Sequence, residues 1–256
     1  MSAILSVQGL SRFFGGLAAV SDLDFEVQAG EILSLIGPNG AGKTTVFNLI
    51  TGTLLPSRGK IQFFENDITG LRPHETAGSG IARTFQTTTL FPDEAVLDNL
   101  MIGHRCRTRM GIWDALFQTG RSRQEERKSR QKAEEVLTFI GLADRASELA
   151  KNIPQESQKR LAVGLALATE PKLLLLDEPM GGLTEEENVG MMHLVEKIRG
   201  QGISILLIEH KMKVVMKISH RIVVLNYGRK IAQGPPEVVS RNPEVIEAYL
   251  GAGYAE

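Results

Sequence analysis

Cysteine is all but absent: the 256 residues hold one, Cys106. An intramolecular disulfide is therefore excluded, and a zinc site built from cysteines nearly so. No apolar run approaches the roughly 18 residues that a membrane-spanning helix needs. The longest runs, such as Leu173-Leu174-Leu175-Leu176, have the length of buried strands. The opening MSAILSVQGLSRFF lacks the charged-then-apolar layout of a signal peptide. Together these features predict a reducing, cytoplasmic compartment. Excess charge is missing too. Twenty-nine Lys and Arg stand against 30 Asp and Glu, for a net of −1, which argues against a nucleic-acid partner and against an acidic disordered chain. There is no internal repeat and no low-complexity stretch.

The balance hides an uneven distribution. From Arg105 to Lys132 there are nine Lys or Arg and three Asp or Glu, a local net of +6 against −7 for the remainder. This marks a basic insertion in a mildly acidic body. It reads either as a guide towards anionic lipid or a membrane partner, or as a solvated helix face. Trp113, Leu116 and Phe117 within it suit a partner contact or packing inside the insertion.

Apolar patterning predicts strands at 4–7, 23–27, 31–36, 59–64, 81–85, 173–176, 203–208 and 222–225. Helices are expected at 43–50, 125–140, 157–169 and 185–199, with shorter pieces after His210 and around Pro236 and Pro243. Strands alternating with helices indicate α/β architecture with a largely parallel sheet.

The strongest local signal is GPNGAGKTT: Gly37, Pro38, Asn39, Gly40, Ala41, Gly42, Lys43, Thr44 and Thr45. It fits G-x-x-x-x-G-K-[ST] between an apolar strand and a helix. Glycines let consecutive backbone N–H groups curl around phosphate oxygens, and the helix points its positive end at the anion. Lys43 is then placed for the β- and γ-phosphates, the Thr44 hydroxyl for Mg²⁺, and Thr45 for the α-phosphate. Leu173 to Leu176 lead into Asp177-Glu178-Pro179. In a parallel sheet that strand end is expected beside the phosphate loop. Asp177 is the candidate Mg²⁺ ligand. Glu178 is the candidate general base for water, a role worth about 10²–10⁴ in rate. His210, ending the strand in Ile208-Glu209-His210, is placed to bond the γ-phosphate and position the water, unless it is merely structural.

With Phe85-Gln86 added, these motifs resemble the ATP-binding subunits of ABC transporters over nearly the whole chain. The finer resemblance is to the LivG-type ATPases of branched-chain amino acid importers. It rests on RFFGGLAAV, IGPNGAGKTTVFNLITG, GIARTFQ, LLIEH and VLNYGRKIAQGPPEVVSRNPEVIEAYLG. The resemblance implies a P-loop NTPase (RecA-like) core with an N-terminal antiparallel β subdomain and an inserted α-helical subdomain. It places the core at 1–90 and 161–256 and the helical insertion at 91–160. It implies ATP and Mg²⁺ as ligands and Gln86 as a contact to Mg²⁺ and water. Phe14 falls where the family stacks a ring on adenine, although core packing would also account for it. The implied partners are a second cassette, of LivF type, membrane permease subunits and, indirectly, a periplasmic or extracellular solute-binding protein. The chain would then lie on the cytoplasmic face of the membrane.

Departures from the family pattern are informative. The usual signature LSGGQ is replaced by Ile153-Pro154-Gln155-Glu156-Ser157, without its serine or glycines. Glu156 would bring negative charge towards a γ-phosphate unless it turns away. Thr184 stands where aspartate is common, and so does Lys211 after His210. A heterodimer with one competent ATP site follows as an expectation. The rival is that Gln155, Ser157 and backbone groups still serve a second site. Other solutes (urea, amides, aromatic acids) use related machinery. A soluble ABC protein of translation or repair would need two cassettes or long coiled coils. A GTPase is disfavoured because Asp67-Ile68-Thr69-Gly70 lacks any N-K-x-D companion.

Overall fold

A computed structural model describes residues 2–84, 90–105 and 120–250. The chain forms two compact units, one of residues 1–83 and 172–256 and the other of residues 84–171. The first unit holds two sheets. Strands β1 (Ala3–Phe14), β2 (Leu17–Gln28), β4 (Arg58–Phe63) and β5 (Asn66–Asp67) form an antiparallel sheet in the order β2-β1-β4-β5. The second sheet runs β10-β9-β3-β8-β7-β6. Its strands are β3 (Ile32–Ile36), β6 (Ile81–Arg83), β7 (Leu173–Asp177), β8 (Ser204–Ile208), β9 (Arg221–Asn226) and β10 (Arg229–Gly234). All pairings are parallel except β9 with β10.

Sequence explains which strands lie at the centre. Every residue of β3, β7 and β8 is buried. Strands covered on both faces carry unbroken apolar runs, as ILSLI, LLLLD and SILLI do. Helix α1 (Lys43–Ile50) buries Val46, Phe47, Leu49 and Ile50 in a core shared with both sheets. A second cluster covers Ile36, Ile222 and Val224. It draws on helix α7 (Met212–Ile218), α8 (Pro236–Val239) and α9 (Pro243–Leu250). Helix α2 (Pro73–Gly78) precedes β6, and α6 (Glu185–Gly200) links β7 to β8.

The second unit is helical: α3 (Val96–Arg105), α4 (Gly120–Phe139), a 3₁₀ turn at Ala143–Arg145 and α5 (Gln155–Leu167). The boundary expected at 160/161 falls inside α5. The helix stays whole because Leu161, Val163, Gly164 and Leu167 are buried along it. Helix α3 carries Gly103 where a Cβ would stand 3.0 Å from the Leu165 carbonyl oxygen, so α3 and α5 approach through that glycine. Basic residues on α4 are partly paired: Arg130 with Glu134 at 3.0 Å, and Lys132 with Glu170 at 2.8 Å. Trp113, Leu116 and Phe117 lie outside the described residues.

Candidate active site

Because β3, β8 and β7 are parallel neighbours, their C-terminal ends open on one edge of the sheet. Ligands of open α/β sheets bind at such an edge. The four-leucine strand β7 is separated from β3 by β8. The three candidate motifs nevertheless share that edge.

The loop from Gly37 to Gly42 turns through glycines at positive φ, 78° at Gly40 and 102° at Gly42. Space is as tight as the dihedrals. A Cβ on Gly42 would sit 2.4 Å from the Ala19 carbonyl oxygen, and one on Gly37 2.2 Å from that of Leu225. Gly42 caps α1 without a side-chain hydrogen bond, which leaves the first N–H groups of the helix for an anion. The Lys43 ammonium is buried and folded onto its own loop, donating to the carbonyls of Gly37 at 2.6 Å and Pro38 at 2.9 Å. Burial lowers its pKa, against the opposing pull of Glu178 and Asp177. The amine therefore lies within electrostatic reach of both acids. Thr44 is exposed and Thr45 half-buried at the start of the helix.

Asp177 ends β7 and is buried. Its Oδ2 accepts from the Arg83 guanidinium at 2.7 Å. Arg83 also donates to Asn48 Oδ1 at 2.6 Å and lies 5.3 Å from the Phe47 ring centroid. One arginine thus ties β6 and α1 to the acid. Glu178 adopts φ 51°, a conformation costly for a non-glycine residue, held by its N–H to the Ile208 carbonyl at 2.9 Å. The His210 Nε2 and Glu178 Oε1 atoms are 2.5 Å apart.

Phe14 is 44 % exposed, so the core-packing alternative for it fails. Its ring lies at the β1–β2 turn with the Arg12 guanidinium 4.7 Å from the centroid. Phe85 and Gln86 lie outside the described residues. Among the other histidines, His220 Nδ1 accepts the Ile32 N–H at 3.2 Å, and His104 meets the buried Ser129 at 3.0 Å. Both are structural contacts.

The altered signature begins α5 with Pro154 as N-cap. Glu156 does turn away from the helix start, pairing with Arg160, and Ser157 is buried. Sequence reading missed Arg83, Glu209, Lys211 and Tyr249. Only Lys211 had announced itself, as a departure from the family pattern. Glu209 is buried next to His210. The Tyr249 hydroxyl on α9 is buried against the Ile36 cluster and faces the Gly37 amide without a hydrogen bond of normal geometry.

This is the arrangement of a P-loop nucleotide-binding cassette. The family model described as "ABC transporter" matches residues 20–181, and one described as "Branched-chain amino acid ATP-binding cassette transporter" matches residues 229–255. The chain is 41 % identical to the high-affinity branched-chain amino acid transport ATP-binding protein LivG of Escherichia coli, over 97 % of this chain and 98 % of that protein. It is 40 % identical to BraF of Pseudomonas aeruginosa, with the same coverage. A crystal structure of the ADP conformation of an ATP-binding cassette of an ABC transporter superposes with a TM-score of 0.87. The two are 32 % identical, over 98 % of this chain and all of the other. The chain belongs to the ABC transporter family, as one of its ATP-hydrolysing cassettes.

Proposed function

We propose that this chain powers the import of branched-chain amino acids. It works on the cytoplasmic face of the membrane, paired with a second, LivF-type cassette and with separate permease subunits that receive solute from a binding protein. The solute reading is supported by the segment 229–255 and by the LivG and BraF likenesses. No described helix is long and apolar enough to cross a membrane; in this reading the transport path lies in the permease subunits.

One observation carries the hydrolytic reading: the Glu178 and His210 side chains meet at 2.5 Å on the edge where the phosphate loop opens. The triphosphate of ATP lies in the Gly37 to Thr45 loop, on the N–H groups of its residues other than Pro38, and Lys43 exchanges its two carbonyl partners for phosphate oxygens. The exposed Phe14 ring stacks on adenine. Glu178 takes a proton from the attacking water, and His210 holds carboxylate and water in line.

The Thr44 hydroxyl and the Asp177 carboxylate would supply oxygen donors of the kind Mg²⁺ takes, and the family resemblance adds Gln86, which lies outside the described residues. When bound, Mg²⁺ neutralises charge on the phosphates.

The pairing is asymmetric in this reading. The segment Ile153 to Ser157 closes the partner's ATP, with no N–H at Pro154 and a buried Ser157 hydroxyl, so that site turns over little. A purified transport complex carrying Glu178→Gln tests this. The expected result is ATP binding retained and turnover reduced about a hundredfold or more. Substantial residual turnover would establish two working sites. Reconstituted vesicles should take up leucine, isoleucine and valine in preference to urea, amides or aromatic acids; the reverse order rejects the solute assignment.

A further inference from the structure

The segment leaving β8 does more than deliver His210. Four consecutive residues each hold the loop that leaves β7. The Ile208 carbonyl accepts the Glu178 N–H at 2.9 Å. The Glu209 carboxylate accepts the Met180 N–H at 2.7 Å through Oε1, and the His210 N–H at 3.1 Å through Oε2. His210 meets Glu178. Lys211 Nζ donates to the Leu183 carbonyl at 2.8 Å and to Asn188 Oδ1, on α6, at 3.1 Å.

Glu209 is an expensive residue for its place. It is 2 % exposed, and burial pushes its carboxyl pKa up. Backbone N–H groups of Met180, His210 and Lys211 pull the other way, and the nearby Glu178 adds to the rise. A carboxylate buried beside a second carboxylate is poor as a stabilising device, since an apolar side chain would fill the space without desolvating a charge. What Glu209 supplies is two oxygens that accept from both sides of the gap between the β7 and β8 exits. Lys211 supplies the second point of attachment. An aspartate there would have no proton to give the Leu183 carbonyl.

The loop needs holding because Glu178 sits at φ 51°. Freed from its neighbours, that residue would relax to negative φ and swing its carboxylate off line. We propose that Glu209 and Lys211 are positioning residues that clamp the Glu178 to Leu183 loop onto the His210 segment, keeping the Glu178 carboxylate and the His210 imidazole in register. The inference rests on the reading of Glu178 and His210 as the residues that handle water.

The test is steady-state ATP turnover of the purified complex with Glu209→Gln and Lys211→Met, each alone and combined with His210→Ala. ADP binding and thermal unfolding are followed in parallel. Each single variant should lower kcat about tenfold, the low end of what supporting partners of reactive groups contribute. KM for ATP, ADP affinity and the unfolding midpoint should stay near wild type. Lys211→Arg, which keeps a donor, should restore most of the rate. In the His210→Ala background neither variant should cost anything further, because without the imidazole there is no Glu178–His210 register left for the clamp to keep. An equal tenfold loss in both backgrounds, or a loss of ADP binding with unchanged kcat, overturns the clamp. Lys211 is only partly buried, so its variants decide the matter should Glu209→Gln fold poorly. If Glu178→Gln and His210→Ala themselves leave kcat untouched, the site reading falls and the clamp with it. If they lower kcat while Glu209→Gln does not, the clamp alone falls.

Discussion

Arg83 bears a charge that motif spacing does not announce. It lies 94 residues from Asp177 in the chain, yet their side chains, 7 % and 2 % exposed, meet at 2.7 Å. Removing one member of a buried ion pair costs about 3–5 kcal/mol, because the remaining charge stays desolvated. Arg83→Met should therefore lower the thermal midpoint markedly, and Mg²⁺ with ADP should recover part of the loss by giving Asp177 another cation. Calorimetry with and without the metal checks this; equal shifts in variant and wild type would show that Asp177 does not face the ion. The residues legible in sequence were those whose chemistry is local. Glycines 40 and 42 are needed for positive φ, and Lys43 follows them by covalent connection. Glu178 meets His210 across 32 residues, which only the adjacency of β7 and β8 brings about.

At the scale of elements, the C-terminal helix α9 reaches the phosphate loop. Tyr249 packs against the cluster that holds Ile36, and burial raises its phenol pKa to about 12. Losing a large buried ring costs about 3–5 kcal/mol, and less at a half-buried site. Tyr249→Ala should lower the unfolding midpoint and weaken ADP binding several-fold, while Tyr249→Phe should preserve both. Titration calorimetry of the two variants separates ring from hydroxyl: weakened binding in Tyr249→Phe assigns the effect to the hydroxyl. Continuous apolar runs made β3, β7 and β8 legible. Others were hidden. Strand β10 is an edge strand with no buried residue, so RKIAQG shows no period. Helix α3 was missed because Gly103 breaks its helical reading, although packing against α5 is what requires that glycine.

For the whole molecule, the chain carries the candidate ATP-handling residues Lys43, Asp177, Glu178 and His210 together with a signature segment that lacks its serine and glycines. Glu156 is neutralised by Arg160, so charge repulsion no longer argues against a phosphate there. What remains missing is the close approach of glycine backbone and an N–H at position 154. Restoring Pro154→Ser, Gln155→Gly and Glu156→Gly together, in a complex that carries Glu178→Gln, should raise the residual ATP turnover several-fold. Unchanged turnover would locate the weak site's defect in the partner.

Sequence alone determined the chemistry of the loops and the α/β class. Both follow from interactions within about ten residues: φ at glycine, helix start, and unbroken apolar strands. Tertiary structure decided which groups meet. Sheet order set β8 between β3 and β7 and so placed His210 on Glu178. The same order put Glu209 and Lys211 on the loop after β7, and the fold brought Arg83 to Asp177. The single cysteine and the missing membrane run had excluded disulfides and a spanning helix, but they could not reveal which buried charges find partners. Those contacts arise from strand adjacency across long stretches of chain, which local patterning does not encode.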